Sequence, residues 1–188
     1  MTDEPTYAAF LGPKLLAWGE LGAVLRAAKE QFDRDNGAAL LVFDDRTGKA
    51  RDYDMRGEPD VVIARALPAQ SPAGRGRPKL GVVSREVTLL PRHWEWLEEQ
   101  PNGISAALRR LVDDARKREP GETRARLARD AAHAFMTAMA GDRPGFEEAL
   151  RALYAKDRER FTQKIARWPG DIRRHAERLA EPWFGVSA

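Results

Sequence analysis

Residues 68–79 read Pro-Ala-Gln-Ser-Pro-Ala-Gly-Arg-Gly-Arg-Pro-Lys and hold no apolar side chain larger than alanine or proline. Such a segment has nothing to bury, and its prolines and glycines recur too closely for a helix or strand, so it divides the chain. A chain of 188 residues has room for about one large domain or two small ones. The expected fold class is α+β. A small α+β domain spans 1–67, the basic Pro/Gly linker 68–79, a third short unit 80–118, and an all-helical domain 121–183.

Local signals shape the first domain. Residues 7–16 hold strand-forming side chains broken by Gly12-Pro13, which predicts two short strands and a turn. Leu21, Val24, Leu25, Ala28 and Phe32 then recur at helical spacing before an Asn36-Gly37 stop. Leu40-Leu41-Val42-Phe43 is an apolar strand run, and Asp44-Asp45-Arg46-Thr47-Gly48 is a hairpin turn leading to a second strand around residues 50–55. Val61, Val62 and Ile63 after Pro59 fit a short strand or a helical turn equally. Asp44, Asp45, Asp52 and Asp54 crowd the hairpin. Ligands of a hard cation must converge, whereas alternation along a strand puts Asp52 and Asp54 on the solvent face, so no metal is expected.

Past residue 120 the pattern is helical only. Helices are predicted over 123–140 (Leu127, Ala131, Phe135, Ala138 and Met139 inward), 145–154, 158–168 behind an Asp157 cap, and 172–180 behind an Asp171 cap. Pro144, Pro169 and Pro182 punctuate them.

Composition narrows the function. The absence of cysteine excludes disulfides, thiolate metal centres and a cysteine nucleophile. No apolar run reaches the roughly 20 residues that span a bilayer, and Asp3 and Glu4 stand where a secretory leader needs basic residues, so a cytoplasmic chain without membrane contact is expected. His93, His133 and His175 lie on separate predicted helices with no metal-ligand spacing. Ser84, Ser105 and Ser187 lack a nucleophile-elbow setting, and no phosphate-binding loop or dinucleotide fingerprint is present. Neither catalysis nor a cofactor is expected. The net charge of +3 is unevenly spread: residues 1–60 carry 8 basic and 12 acidic side chains, residues 61–92 carry 6 and 1. A basic segment beside an acidic one suits an anionic polymer, the plain alternative being a solvated linker.

That basic segment contains Arg75-Gly76-Arg77-Pro78-Lys79, which resembles the core of an AT-hook, an extended arm lying in the minor groove of A/T-rich DNA. Glycine lets the backbone sink to the groove floor, proline keeps it extended, and the arginines meet a strongly negative potential. Downstream, Arg85-Glu86-Val87-Thr88-Leu89-Leu90 is strand-like and ends at Pro91, a favoured first helical residue. A short helix over 92–99, a Pro101-Asn102-Gly103 turn and a helix capped by Ser105 follow. This order resembles the ribbon-helix-helix family of bacterial DNA-binding proteins. The resemblance implies that two chains pair their strands into a ribbon for the major groove, while the second helices anchor phosphates through their amino termini.

A unit of this size cannot bury enough surface alone, so a homodimer is expected with Trp94, Leu97, Leu108, Leu111 and Val112 as shared core. If Leu90 points inward, Arg85, Val87 and Leu89 face the groove; the opposite strand phase buries Val87 and Leu89 and exposes Glu86 and Thr88. Arg92 and Ser105 complete the expected DNA contacts with Arg75, Gly76, Arg77, Pro78 and Lys79.

Over most of its length the chain also resembles an uncharacterised bacterial family, through Val42-Phe43-Asp44-Asp45-Arg46-Thr47-Gly48 and residues 76–96 and 135–146; that resemblance implies no activity. The expected function is a dimeric, nucleoid-associated DNA-binding protein or transcriptional regulator, with double-stranded DNA as partner. The alternative is an antitoxin- or adaptor-like module in which the ribbon motif only dimerises and the end domains bind a protein.

Overall fold

The computed structural model describes residues 5–35, 39–67, 86–118 and 120–185. In chain order the elements are β1 (Tyr7–Leu11), β2 (Lys14–Gly19), α1 (Leu21–Asp35), β3 (Leu40–Asp44), β4 (Lys49–Arg51), α2 (Pro59–Ala66), α3 (Pro91–Glu98), α4 (Ile104–Arg118), α5 (Pro120–Ala140), α6 (Phe146–Tyr154), α7 (Arg158–Ile165) and α8 (Gly170–Phe184). They fall into two compact units: residues 1–69 with 121–188, and residues 70–120. The two ends of the chain, read from sequence as separate domains, therefore share one unit.

In that unit the four strands form an antiparallel sheet of order β2-β1-β3-β4. Successive side chains alternate across it. Ala9 and Val42 pack on one face with Val24, Leu25, Ala28, Met55 and Val62, which belong to α1, α2 and the segment before α2. Ala8, Phe10 and Phe43 pack on the other face against Phe135, Met136, Leu153, Phe161, Ile165 and Ile172 of α5 to α8. Both faces are covered, so β1 and β3 read as continuous apolar runs rather than alternating ones. At the centre Phe135 lies 5.5 Å from Phe10 and 5.0 Å from Phe43 between ring centroids.

The β3–β4 turn seats tightly on α5. Gly48 has φ +65°, and a Cβ built there would stand 1.8 Å from the carbonyl oxygen of Ala131. Only glycine satisfies both the left-handed backbone and that approach.

Several sequence-based boundaries change. The second hairpin strand stops at Arg51 instead of reaching residue 55, so Asp52 and Asp54 lie beyond it. Val61, Val62 and Ile63 are helical, with Pro59 at the first position of α2, where its missing N–H costs nothing. Leu127 and Ala138 are exposed, because the inward stripe of α5 runs through Ala125, Ala132, Phe135, Met136 and Ala140. Asp157 caps α7, accepting from the Arg160 N–H at 2.9 Å. Asp171 is not the cap of α8; it sits in the first turn and accepts the Leu15 N–H of β2 at 3.0 Å. Pro182 lies inside α8, close enough to its end that a single backbone hydrogen bond is lost. No helix among the described residues is long and apolar enough to cross a membrane.

Candidate nucleic-acid interface

Residues 86–118 are the described part of the second unit. Leu90 is extended (φ −69°, ψ 150°) and Pro91 opens α3. The chain reverses at Asn102 (φ +70°) and Gly103 (φ +80°), the left-handed pair that ends one helix and admits the next. The Gly103 carbonyl accepts from the N–H groups of Ala106 and Ala107, so Ser105 stands inside the first turn of α4 and does not cap it. Gln100 bridges the two helices: its amide donates to the Trp96 carbonyl at 3.2 Å and its side-chain oxygen accepts from Arg110 at 3.3 Å.

The apolar inventory of this unit is lopsided. Leu97 and Ala107 are buried, and Trp94, Ile104 and Leu108 are half-buried. Leu90, Trp96, Leu111 and Val112 are 43–56% exposed, as is Val87. Of the expected shared core, then, only Leu97 is covered within one chain, and Leu111 and Val112 face outward. Residues 86–90 carry no strand pairing in the single chain; Val87 is exposed and Leu89 half-buried. Arg92 and Ser105 are both exposed. Arg75, Gly76, Arg77, Pro78, Lys79 and Arg85 lie outside the described residues.

The compact unit holds a polar site that sequence reasoning passed over. His175 on α8 is fully buried against the rings of Phe10 (5.5 Å) and Phe135 (4.6 Å). Its Nδ1 is 3.2 Å from a guanidinium nitrogen of Arg178. A guanidinium only donates, so in this contact Nδ1 is the acceptor. Its Nε2 faces Oδ1 of Asp45 at 3.2 Å, off the line of a well-formed hydrogen bond. The other carboxylate oxygen of Asp45 accepts from the Thr6 hydroxyl and the Trp18 indole, both at 2.8 Å. Arg178 lies 4.1 Å over the Trp18 ring. Burial, the largest single influence, raises the Asp45 carboxyl, but His175, Thr6 and Trp18 together outweigh it and hold the group below its ordinary value. The pair works inside the core, tying the hairpin to α8. The signal was present in the sequence: His175 falls on the same helical face as Ile172, Ala176 and Leu179.

The remaining hairpin carboxylates are spoken for differently. Asp44 is buried and accepts from the Arg46 N–H and from Arg51. Asp54 forms ion pairs with Arg56 and Arg65. Among the described residues no three histidine, aspartate or glutamate side chains gather as metal ligands would.

No curated protein and no solved structure matches the chain. A family model described as an uncharacterized protein conserved in bacteria matches residues 6–180, spanning the sheet and nearly all of its covering helices. The chain belongs to that bacterial family, DUF2239.

Proposed function

We propose that the chain is a homodimeric DNA-binding protein of the bacterial cytoplasm, acting as a transcriptional regulator or nucleoid-associated protein. The observation that carries this reading is the exposure of Leu90, Trp96, Leu111 and Val112 at a helix pair that, among its described side chains, buries only Leu97 and Ala107. A short helix pair that leaves these side chains exposed gains from a partner surface. A second copy offers the same apolar residues and an equivalent unpaired segment at 86–90, so two chains complete one core and one ribbon. Arg75, Arg77, Lys79, Arg85 and Arg92 then supply positive charge beside the ribbon, with Arg75-Gly76-Arg77-Pro78-Lys79 in the minor groove and Arg85, Val87 and Leu89 toward the major groove.

The test combines sedimentation with gel shifts on A/T-rich and G/C-rich duplexes across a salt series. If about half the basic groups of a dimer meet phosphate, log affinity falls against log salt with a slope of roughly −4 to −5, at about −0.9 per contact. Leu111→Glu with Val112→Glu should give a monomer that no longer shifts DNA while the compact unit keeps its melting temperature. A parent chain that sediments as a monomer overturns the reading. A dimer whose duplex interaction ignores salt supports instead an adaptor or antitoxin role, in which the ribbon motif only dimerises.

A further inference from the structure

A cleft of about 390 Å³ opens where the ends of β1, β3, β4, α1 and α2 meet, all within the compact unit. Its polar lining comes from Tyr7, Asp44, Arg46, Arg51, Asp52 and Tyr53, with Leu21 and Ala66 adding apolar contact. A concavity of a few hundred Å³ in which polar groups converge is large enough to hold a small molecule.

The hairpin builds the polar side of this cleft. Tyr7 and Asp44 are cross-strand partners on β1 and β3. Asp44 is 2% exposed, and both its oxygens are used: one accepts the Arg46 N–H at 3.0 Å, the other accepts from Nε and a terminal nitrogen of Arg51 at 3.2 and 3.0 Å. A buried carboxylate thus holds Arg51 in a fixed orientation, with its second terminal nitrogen uncommitted among the described residues. The Arg46 guanidinium, on the same turn, also has no partner among them. Burial first, then the neighbouring Tyr7 phenol and Asp44 carboxylate, raise the Tyr53 hydroxyl above its ordinary value against the pull of Arg51, so it stays a donor at neutral pH. Two guanidinium groups and two phenols line the space, and Asp52 is the one acidic lining group not already occupied by a cation.

We propose that this cleft binds a small organic oxyanion, a carboxylate or phosphate monoester on a flat apolar body, with Arg46 and Arg51 on the anionic group and the body against Tyr53, Leu21 and Ala66. Arg51, held by Asp44, presents planar paired donors that suit an oxyanion better than a lone ammonium would, and Arg46 adds a second guanidinium. A polyanion such as DNA is disfavoured here, because it presents an extended row of phosphates while this concavity offers one cationic locus in a segment where acidic side chains outnumber basic ones. The inference stands whether or not the chain binds DNA.

The experiment is isothermal titration of the full chain with phenyl phosphate, benzoate, phenol and inorganic phosphate, repeated on Arg46→Ala and Tyr53→Phe. At least one ring-bearing anion should bind more tightly than phenol and inorganic phosphate, and Arg46→Ala should weaken it by about tenfold or more with an unchanged melting temperature. Tyr53→Phe should cost less, because it removes one neutral donor. The tighter of phenyl phosphate and benzoate identifies the anionic group. Three results overturn the inference: no binding up to about 10 mM, inorganic phosphate or phenol binding as well as the ring-bearing anions, or an Arg46→Ala protein that binds like the parent.

Discussion

Replacing Phe135 with alanine tests whether the amino-terminal sheet and the carboxy-terminal helices stand or fall together. Phe135 is fully buried and its ring meets Phe10, Phe43 and His175 at centroid distances of 5.5, 5.0 and 4.6 Å. Two of those partners come from strands and one from α8, so the substitution opens a cavity at the seam between chain ends. Phe-to-Ala changes in cores cost about 3–5 kcal/mol, and the aromatic pairs keep this one out of the low part of that range, so about 4 kcal/mol is expected. With a urea m-value of about 2 kcal/mol/M for a unit of this size, the midpoint should fall by about 2 M. Urea unfolding followed by circular dichroism gives the midpoint. Hydrogen exchange read separately on β1 and α8 shows whether both lose protection. A loss below about 1.5 kcal/mol, or α8 protection that survives while β1 opens, would refute the shared core.

Two further perturbations probe the hairpin. Gly48→Ala forces a left-handed alanine and places its Cβ on the Ala131 carbonyl; a loss of about 2 kcal/mol or more is expected in thermal melts, and an unchanged melting temperature would mean that the turn does not seat on α5. Asp45 has a folded-state carboxyl below its ordinary value of 3.8. It therefore adds stability that is complete above that value and is lost as pH falls through the lower folded one. Asp45→Asn should be less stable than the parent at neutral pH, with the gap closing in acid; a gap that is constant in urea midpoints from neutral pH to below 3.8 would show that the carboxylate charge contributes nothing.

What the sequence disclosed was set by how local each signal is. Gly12-Pro13, the Gly48 turn and the Asp157 cap act within a few residues of themselves, and each stands close to its expected place. The three β-branched or apolar residues Val61, Val62 and Ile63 carry a strand preference that packing of Val62 against α1 overrides. The union of the chain ends was hidden, because Phe10 and Phe135 each look like an ordinary core residue of its own segment. Nothing in either stretch names the other. The same holds for His175, whose partner Asp45 is fixed only when the hairpin meets α8. For the second unit the helix pair was legible, with Pro91 and Gly103 as punctuation, whereas the Ser105 cap was displaced because Gly103 takes the turn two residues earlier than serine could.

The second unit is inserted within the first, and this sets an order of events on the ribosome. β1 to β4 emerge early, but the face of the sheet bearing Phe10 and Phe43 acquires its cover only when α5 and the later helices have been made. At bacterial elongation rates of roughly 5–20 residues per second, the stretch from Phe43 to Phe135 takes roughly 5–20 seconds to synthesise. For that interval an apolar face remains open to water, while the intervening α3–α4 segment has already appeared. A nascent chain released or stalled between residues 118 and 135 therefore carries two unfinished apolar surfaces at once, and such truncated products are natural substrates for chaperones and proteases.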